Sequence, residues 1–206
     1  MSASSTLKRT WAGEVCRGLA ALKCRDVVYV PDNPLSHVLK ELGDDHPGIR
    51  TTVATREEEA FGIAAGLYLG GVRPVVMLQS SGLGNSLNAL TSLLVPYQIP
   101  VLAIVSMRGD EGEWNSAQMP MGRAVRTILE SIGIRHVTVE SGEAASATVE
   151  QAGAEAFVSR ISWACLLPKL LTAQGGRGSD PSAAGTPLNR DGLGSDPLYR
   201  NGYESA

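Results

Sequence analysis

Apolar positions recur at three- and four-residue intervals near the start of the chain, where Leu7, Trp11, Val15, Leu19 and Leu22 form one stripe. That spacing predicts a helix over residues 7 to 22 with one face turned to a core. The texture then changes to an unbroken apolar run, Val27-Val28-Tyr29-Val30, stopped by Pro31. Such a run predicts a short strand buried on both faces. The two textures alternate from there on. Leu35, Val38, Leu39 and Leu42 predict a helix closed by Gly43, residues 51 to 54 a strand, and residues 56 to 69 a helix. Residues 75 to 78 predict a third strand, 83 to 95 a helix, and 101 to 105 a fourth strand. A polar, glycine-containing loop over 106 to 116 precedes a helix at about 119 to 132. A strand at 137 to 139, a helix around 143 to 158 and a strand at 163 to 167 complete the series. Continuous apolar strands separated by amphipathic helices predict an α/β fold: a doubly wound, mostly parallel sheet with helices on both faces.

After about Thr172 the pattern stops. Residues 173 to 206 are rich in Gly, Ser, Pro, Asp and Asn, repeat Gly-Ser-Asp-Pro twice, and hold only Tyr199 and Tyr203 as aromatic residues. This composition cannot bury enough apolar surface to offset chain entropy, which predicts one domain over 1 to 172 and a disordered tail over 173 to 206.

Composition narrows the function mainly by exclusion. With 43% hydrophobic and 19% charged residues among 206, the chain has the balance of a soluble globular domain. A formal net charge of -3 gives no electrostatic reason to expect nucleic acid or an anionic membrane as partner. Cys16, Cys24 and Cys165 form no CxxC pair or metal-ligand spacing and are read as reduced, buried, small apolar residues. The N-terminal MSASSTLKRTW has no apolar run after its charges, and no segment offers the roughly 18 apolar residues of a membrane span, so a cytoplasmic location is expected.

The richest chemistry lies between Thr51 and Asn85. Thr55-Arg56-Glu57-Glu58 fits a capping box, in which the Thr55 hydroxyl accepts from the Glu58 amide and the Glu58 carboxylate reaches back to the Thr55 amide. Acidic residues in a first turn also complement the helix dipole, so all three glutamates have an ordinary structural role open to them. Helix-start stabilisation does not account for the sequel, Ala60-Phe61-Gly62-Ile63-Ala64-Ala65-Gly66. Glycine inside a helix costs roughly 1 kcal/mol relative to alanine, and small residues there admit close approach of a backbone or a ligand. Downstream, Ser81-Gly82-Leu83-Gly84-Asn85 reads as a glycine turn opening a helix. A phosphate cradle is one reading of it, although the complete GxGxxG and GxxxxGK[ST] patterns are absent.

The order of these parts resembles the pyrimidine-binding half of thiamine-diphosphate enzymes. That family carries a glutamate, a run of small residues with a glycine nine positions on, a strand, and an SGPG- or SGLG-type turn. Here they are Glu57, Ala60 to Ala65, Gly66, residues 74 to 78, and Ser81 to Asn85. The string Gln79-Ser80-Ser81-Gly82-Leu83-Gly84-Asn85 with Asn88-Ala89-Leu90 is most similar to sulfopyruvate and phosphonopyruvate decarboxylases, and the likeness runs from about residue 27 to 167.

The resemblance implies a thiamine-diphosphate-binding fold and a 2-oxo acid decarboxylase. Glu57 would hydrogen-bond N1′ of the cofactor's aminopyrimidine and favour the tautomer whose N4′ removes the C2 proton. Ser81, Gly82 and Asn85 would approach the cofactor. The family's diphosphate motif, GDG with a later Asn holding Mg²⁺, is missing: Arg108-Gly109-Asp110-Glu111 and Asp191-Gly192 are poor matches. The resemblance therefore implies that no metal ligands lie on this chain, and that a beta subunit supplies the Mg²⁺ ligands and the diphosphate site. The implied substrate is a small anionic 2-oxo acid, 3-sulfopyruvate first and phosphonopyruvate second, with a non-catalytic regulatory subunit as the third reading. Asp32, after the first strand, and Gln118 are candidates for the substrate side, against turn formation and a solvated loop. Arg108 and Arg123 are candidates for the anionic group, against plain surface roles. His37, His46 and His136 share no motif.

Overall fold

The computed structural model describes residues 10 to 173. Six strands form one sheet: β1 (Asp26–Tyr29), β2 (Arg50–Val53), β3 (Pro74–Gln79), β4 (Leu102–Ser106), β5 (Arg135–Thr138) and β6 (Trp163–Leu167). Their order is β2-β1-β3-β4-β6-β5, and every neighbouring pair is parallel. The chain moves outward from β1 to β2, then returns to the other side of β1 with β3. This reversal leaves a crevice beyond the carboxyl ends of β1 and β3, where open α/β sheets bind ligands.

Two apolar layers sandwich the sheet, and alternate strand residues feed each. Val27, Val75, Met77, Leu102, Ile104 and Cys165 pack with α1 (Trp11–Ala21), α2 (Leu35–Asp45) and α7 (Ala145–Ser159). Val28, Val76, Leu78, Ala103, Val105 and Leu166 pack on the opposite face with α3 (Glu57–Leu69), α4 (Ser80–Asn85) and α6 (Met119–Ser131). Each fully buried aliphatic side chain contributes about 1.5 to 3 kcal/mol relative to exposure, which is why the unbroken apolar runs become interior strands. The cysteines belong to these layers: Cys16, Cys24 and Cys165 are buried and unpaired, and burial pushes each thiol up to about 12. No described helix is long and apolar enough to cross a membrane.

The structure departs from the sequence pattern in four places. Strand β2 is exposed along its whole length, because Arg50, Thr51, Thr52 and Val53 form a sheet edge with β1 as their one neighbour. Gly43 does not close α2, which runs two residues further to Asp45. The helix expected from Leu83 begins at Ser80, so Gly82 and Gly84 lie inside α4. That helix breaks at Ser86 before a single turn, α5 (Leu87–Ala89), and a π turn over Leu90–Leu94. Ser86 Oγ donates to the Gly82 carbonyl at 2.9 Å, a back-bond that loosens helical geometry there. A last short helix, α8 (Lys169–Ala173), ends the described chain; Leu7 and the expected tail beyond Ala173 lie outside it.

Candidate functional site

The start of α3 lies close to α4, which follows β3 at the sheet's carboxyl edge. Arg56 is the N-cap, with extended dihedrals of φ -140° and ψ 152°. The first turn therefore begins one residue later than the capping-box reading assumed, and the roles of the glutamates shift with it. Glu59, not Glu58, reaches back: its Oε2 accepts from the Thr55 hydroxyl at 2.6 Å and the Thr55 amide at 2.8 Å. Those two bonds, the hydroxyl first, hold the Glu59 carboxyl below its usual range. Glu58 pairs with Arg56 at the surface, with 3.0 Å between Nε and Oε1. Glu57 is left as the buried one of the three, 9% exposed.

Glu57 lies against α4. A Cβ added at Gly82 would stand 2.5 Å from Glu57 Cγ and 2.7 Å from its Oε1, so any side chain at position 82 would displace the carboxylate. Gly84 serves a different neighbour, since a Cβ there would meet Met121 Sδ at 3.1 Å. Both glycines thus make room for side chains of the protein itself, and neither sits in a phosphate-cradling turn. Asn85, one turn along α4, donates from Nδ2 to Glu57 Oε2 at 3.3 Å. Among the described residues this is the one hydrogen bond shown for the Glu57 side chain. A carboxylate has about four acceptor positions, so Glu57 Oε1 retains capacity for a donor from outside the chain. A nearly buried carboxylate with spare acceptor capacity, pressed on a helix that leaves no Cβ in its way, fits the aminopyrimidine edge of thiamine diphosphate.

The structure thus brings together Glu57, Gly82 and Asn85. Ser81 is half-buried in the same turn. Asp32, after β1, accepts from Ser106 Oγ at 2.6 Å, a bond from the β1 loop to the end of β4. Its carboxylate is held at the carboxyl edge of the sheet. Gln118 ends a 3-10 turn (Ser116–Gln118) whose cap is Asn115, and the Gln118 carbonyl packs over Gly109. Arg108 pairs through Nε with the buried Glu113 at 3.0 Å, which ties its side chain into the loop. Sequence reasoning missed Glu113, Ser80 and Ser106. A lone Glu between Gly112 and Trp114 and two ordinary serines gave no pattern to find. No group of three or more His, Cys, Asp or Glu side chains is placed to hold a metal ion among the described residues.

The family model described as thiamine pyrophosphate enzyme, N-terminal TPP binding domain, matches residues 10–118. Sulfopyruvate decarboxylase subunit alpha of Methanococcus maripaludis is 42% identical over 126 residues, covering 61% of this chain and 75% of the relative. Its counterpart in Methanocaldococcus jannaschii is 41% identical over 137 residues, 66% of this chain and 79% of the relative. Phosphonopyruvate decarboxylase of Streptomyces viridochromogenes is 38% identical over 120 residues, 58% of this chain but 30% of that longer protein. Among solved structures, 2-oxoglutarate:ferredoxin oxidoreductase from Magnetococcus marinus superposes with a TM-score of 0.63 at 13% identity, over 79% of this chain and 29% of that one. At that identity the likeness speaks for the fold alone. With the match spanning more than half of its length, the chain belongs to the thiamine pyrophosphate enzymes and carries their N-terminal TPP-binding domain.

Proposed function

We propose that this chain is the pyrimidine-binding alpha subunit of a two-chain, thiamine-diphosphate-dependent decarboxylase that converts 3-sulfopyruvate to sulfoacetaldehyde and carbon dioxide. The observation that carries the reading is the Glu57 carboxylate seated on Gly82 with one internal hydrogen bond. The named alpha subunits, of which this chain covers 75% and 79%, support the same reading. Phosphonopyruvate decarboxylation is the second reading, favoured by the 38% identity to such enzymes and disfavoured by the 30% of their length that this chain spans. A purely regulatory role is disfavoured by the retained Glu57 geometry.

Glu57 would hold and orient the aminopyrimidine through its Oε1, while Asn85 steers the carboxylate through Oε2. Gly82 keeps the carboxylate in line by leaving its path clear. When bound, the cofactor supplies the electron sink for the pair released as the substrate carboxylate departs. Asp32, fixed by Ser106, and Gln118 are assigned to the substrate side in this reading. The diphosphate and its Mg²⁺ would be held by a GDG-bearing beta subunit. The exposed face of α3, where a side chain at Gly62 or Gly66 would meet nothing within 4 Å, is open to that partner.

The reading is tested by mixing the purified chain with its GDG-bearing partner, thiamine diphosphate and Mg²⁺, and following carbon dioxide release. Neither chain alone should turn over, and the mixture should prefer 3-sulfopyruvate to phosphonopyruvate. Strong decarboxylation by this chain alone would refute the split site, and the reverse preference would select the second reading. A chain ending after Gln174 keeps all these residues and should support the same activity.

A further inference from the structure

Another buried carboxylate lies in the loop that follows β4 at the sheet's carboxyl edge, and the decarboxylase chemistry above leaves it unused. Glu113 belongs to the segment between β4 and the 3-10 turn, and its side chain is sealed from solvent at 0% exposure. Its Oε1 accepts from Lys169 Nζ at 2.7 Å, the Asn115 amide at 3.0 Å and the Trp114 amide at 3.1 Å. Its Oε2 accepts from Arg108 Nε at 3.0 Å and the Gly109 amide at 3.3 Å. The loop has wrapped three of its own amides and two cations around one carboxylate. Burial alone would raise this carboxyl; the bonds from Lys169, Arg108 and the amides outweigh it and hold the group at about 2.

Two connections run from this cage to the cofactor site. Ser80 Oγ accepts from the Arg108 amide at 2.9 Å and donates to the Arg108 carbonyl at 3.2 Å. Ser80 is the first residue of α4, two positions before the glycine on which Glu57 rests. On the far side of the loop, the Arg108 carbonyl fits where a Cβ at Gly122 would be, and the next residue back, Met121, packs over Gly84. Arg108 is thus fixed through its side chain by Glu113, and through its backbone it touches both neighbours of the site. Backbone contact this close leaves little slack, since packed interiors transmit displacement.

We propose that Glu113 is a positioning residue: by caging its carboxylate, the loop fixes the Arg108 backbone, and through Ser80 this sets the placement of Gly82 and Asn85 against Glu57. The link between loop and α4 stands on geometry alone; its effect on the cofactor rests on the reading of Glu57 given above. Second-layer hydrogen bonds of this kind typically alter a site's performance by 10- to 100-fold without touching the ligand.

The test is amide hydrogen exchange on the full chain, with Glu113→Gln compared with the parent. Exchange should quicken by roughly tenfold both in residues 108 to 115 and in residues 80 to 85, with α1 and α7 unchanged. Glu113→Asp should recover part of the protection. Faster exchange confined to 108–115 would overturn the proposal. If Glu113→Gln does not fold, Ser80→Ala cuts the link and leaves the cage: the Arg108 amide, which loses its acceptor, and residues 80 to 85 should loosen while 109 to 115 stay protected, and no change at 80–85 would again overturn it. In the complex with its partner, Glu113→Gln should slow proton exchange at thiamine diphosphate C2 by roughly tenfold. If Glu57→Gln left that exchange intact, the reading of Glu57 would fall, and the amide-exchange result would still decide the loop coupling.

Discussion

Glu57 and Glu113 are both buried carboxylates in segments beyond the carboxyl ends of the strands, and they differ in how fully they are satisfied. Glu113 takes five donors from its own chain, two of them cations. Among the described residues Glu57 takes one, a 3.3 Å bond from an amide nitrogen. A saturated carboxylate has nothing left for a ligand and is expensive to disturb. An undersupplied one stands ready for a donor that the chain does not provide. Between these two acids burial is shared, and the number of internal donors is what differs.

The open carboxylate is the easier one to break. Gly82→Ala puts a methyl group within 2.5 Å of Glu57 Cγ. Alanine is the better helix former by about 1 kcal/mol, so α4 should persist while Glu57 is pushed aside. Proton exchange at thiamine diphosphate C2 in the complex should drop at least about a hundredfold, with the circular dichroism spectrum retained. Gly84→Ala meets the flexible end of Met121 at 3.1 Å and should alter the same rate by no more than about threefold. Equal losses from the two substitutions would remove the special place of Gly82.

The caged carboxylate should answer to pH. Its folded-state value is depressed from 4.5 to about 2, so its stabilisation is complete above pH 4.5 and is lost as pH falls toward 2. Lys169 and Arg108 face it, and the neighbouring Asp110 is paired with Arg126. Urea unfolding across that window should show Glu113 adding up to about 1.4 kcal/mol of stability per pH unit. In Glu113→Gln the profile should flatten by that amount. An unchanged profile would mean that the cage does not hold the ionised form.

The surface glutamates should show the smallest effects. Glu59→Gln weakens the cap formed with Thr55 and should lower the melting temperature slightly, whereas Glu58→Gln removes an exposed pair with Arg56 and should be nearly silent. A larger loss from Glu58→Gln would restore the capping register first read from the sequence.

The sequence foretold the layered sheet because burial on both faces forces unbroken apolar runs such as Val75 to Leu78, and helices must shield them. Glu57 was singled out by resemblance, through its spacing to Gly66 and the glycines at 82 and 84, while its burial and its seat on Gly82 came only from the structure. The exact start of α3 was not, because Thr55 and Arg56 are separated as N-caps by tertiary placement and not by propensity. The early start of α4 was obscured for a related reason: Gly82 and Gly84 suggest a turn, and only their contacts with Glu57 and Met121 explain glycine inside a helix. Glu113 was hidden because Lys169 reaches it from 56 positions away in the chain, a distance no local pattern spans.

The most direct measurement is the rate of deuterium exchange at C2 of thiamine diphosphate bound to the reconstituted complex, in the parent and in Glu57→Gln. The substitution keeps shape and the Asn85 neighbour but cannot share a proton with N1′ as the acid does. A fall of at least about a hundredfold at unchanged melting temperature is the predicted result. An exchange rate equal to that of the parent would contradict the assignment of Glu57 as the cofactor-activating carboxylate.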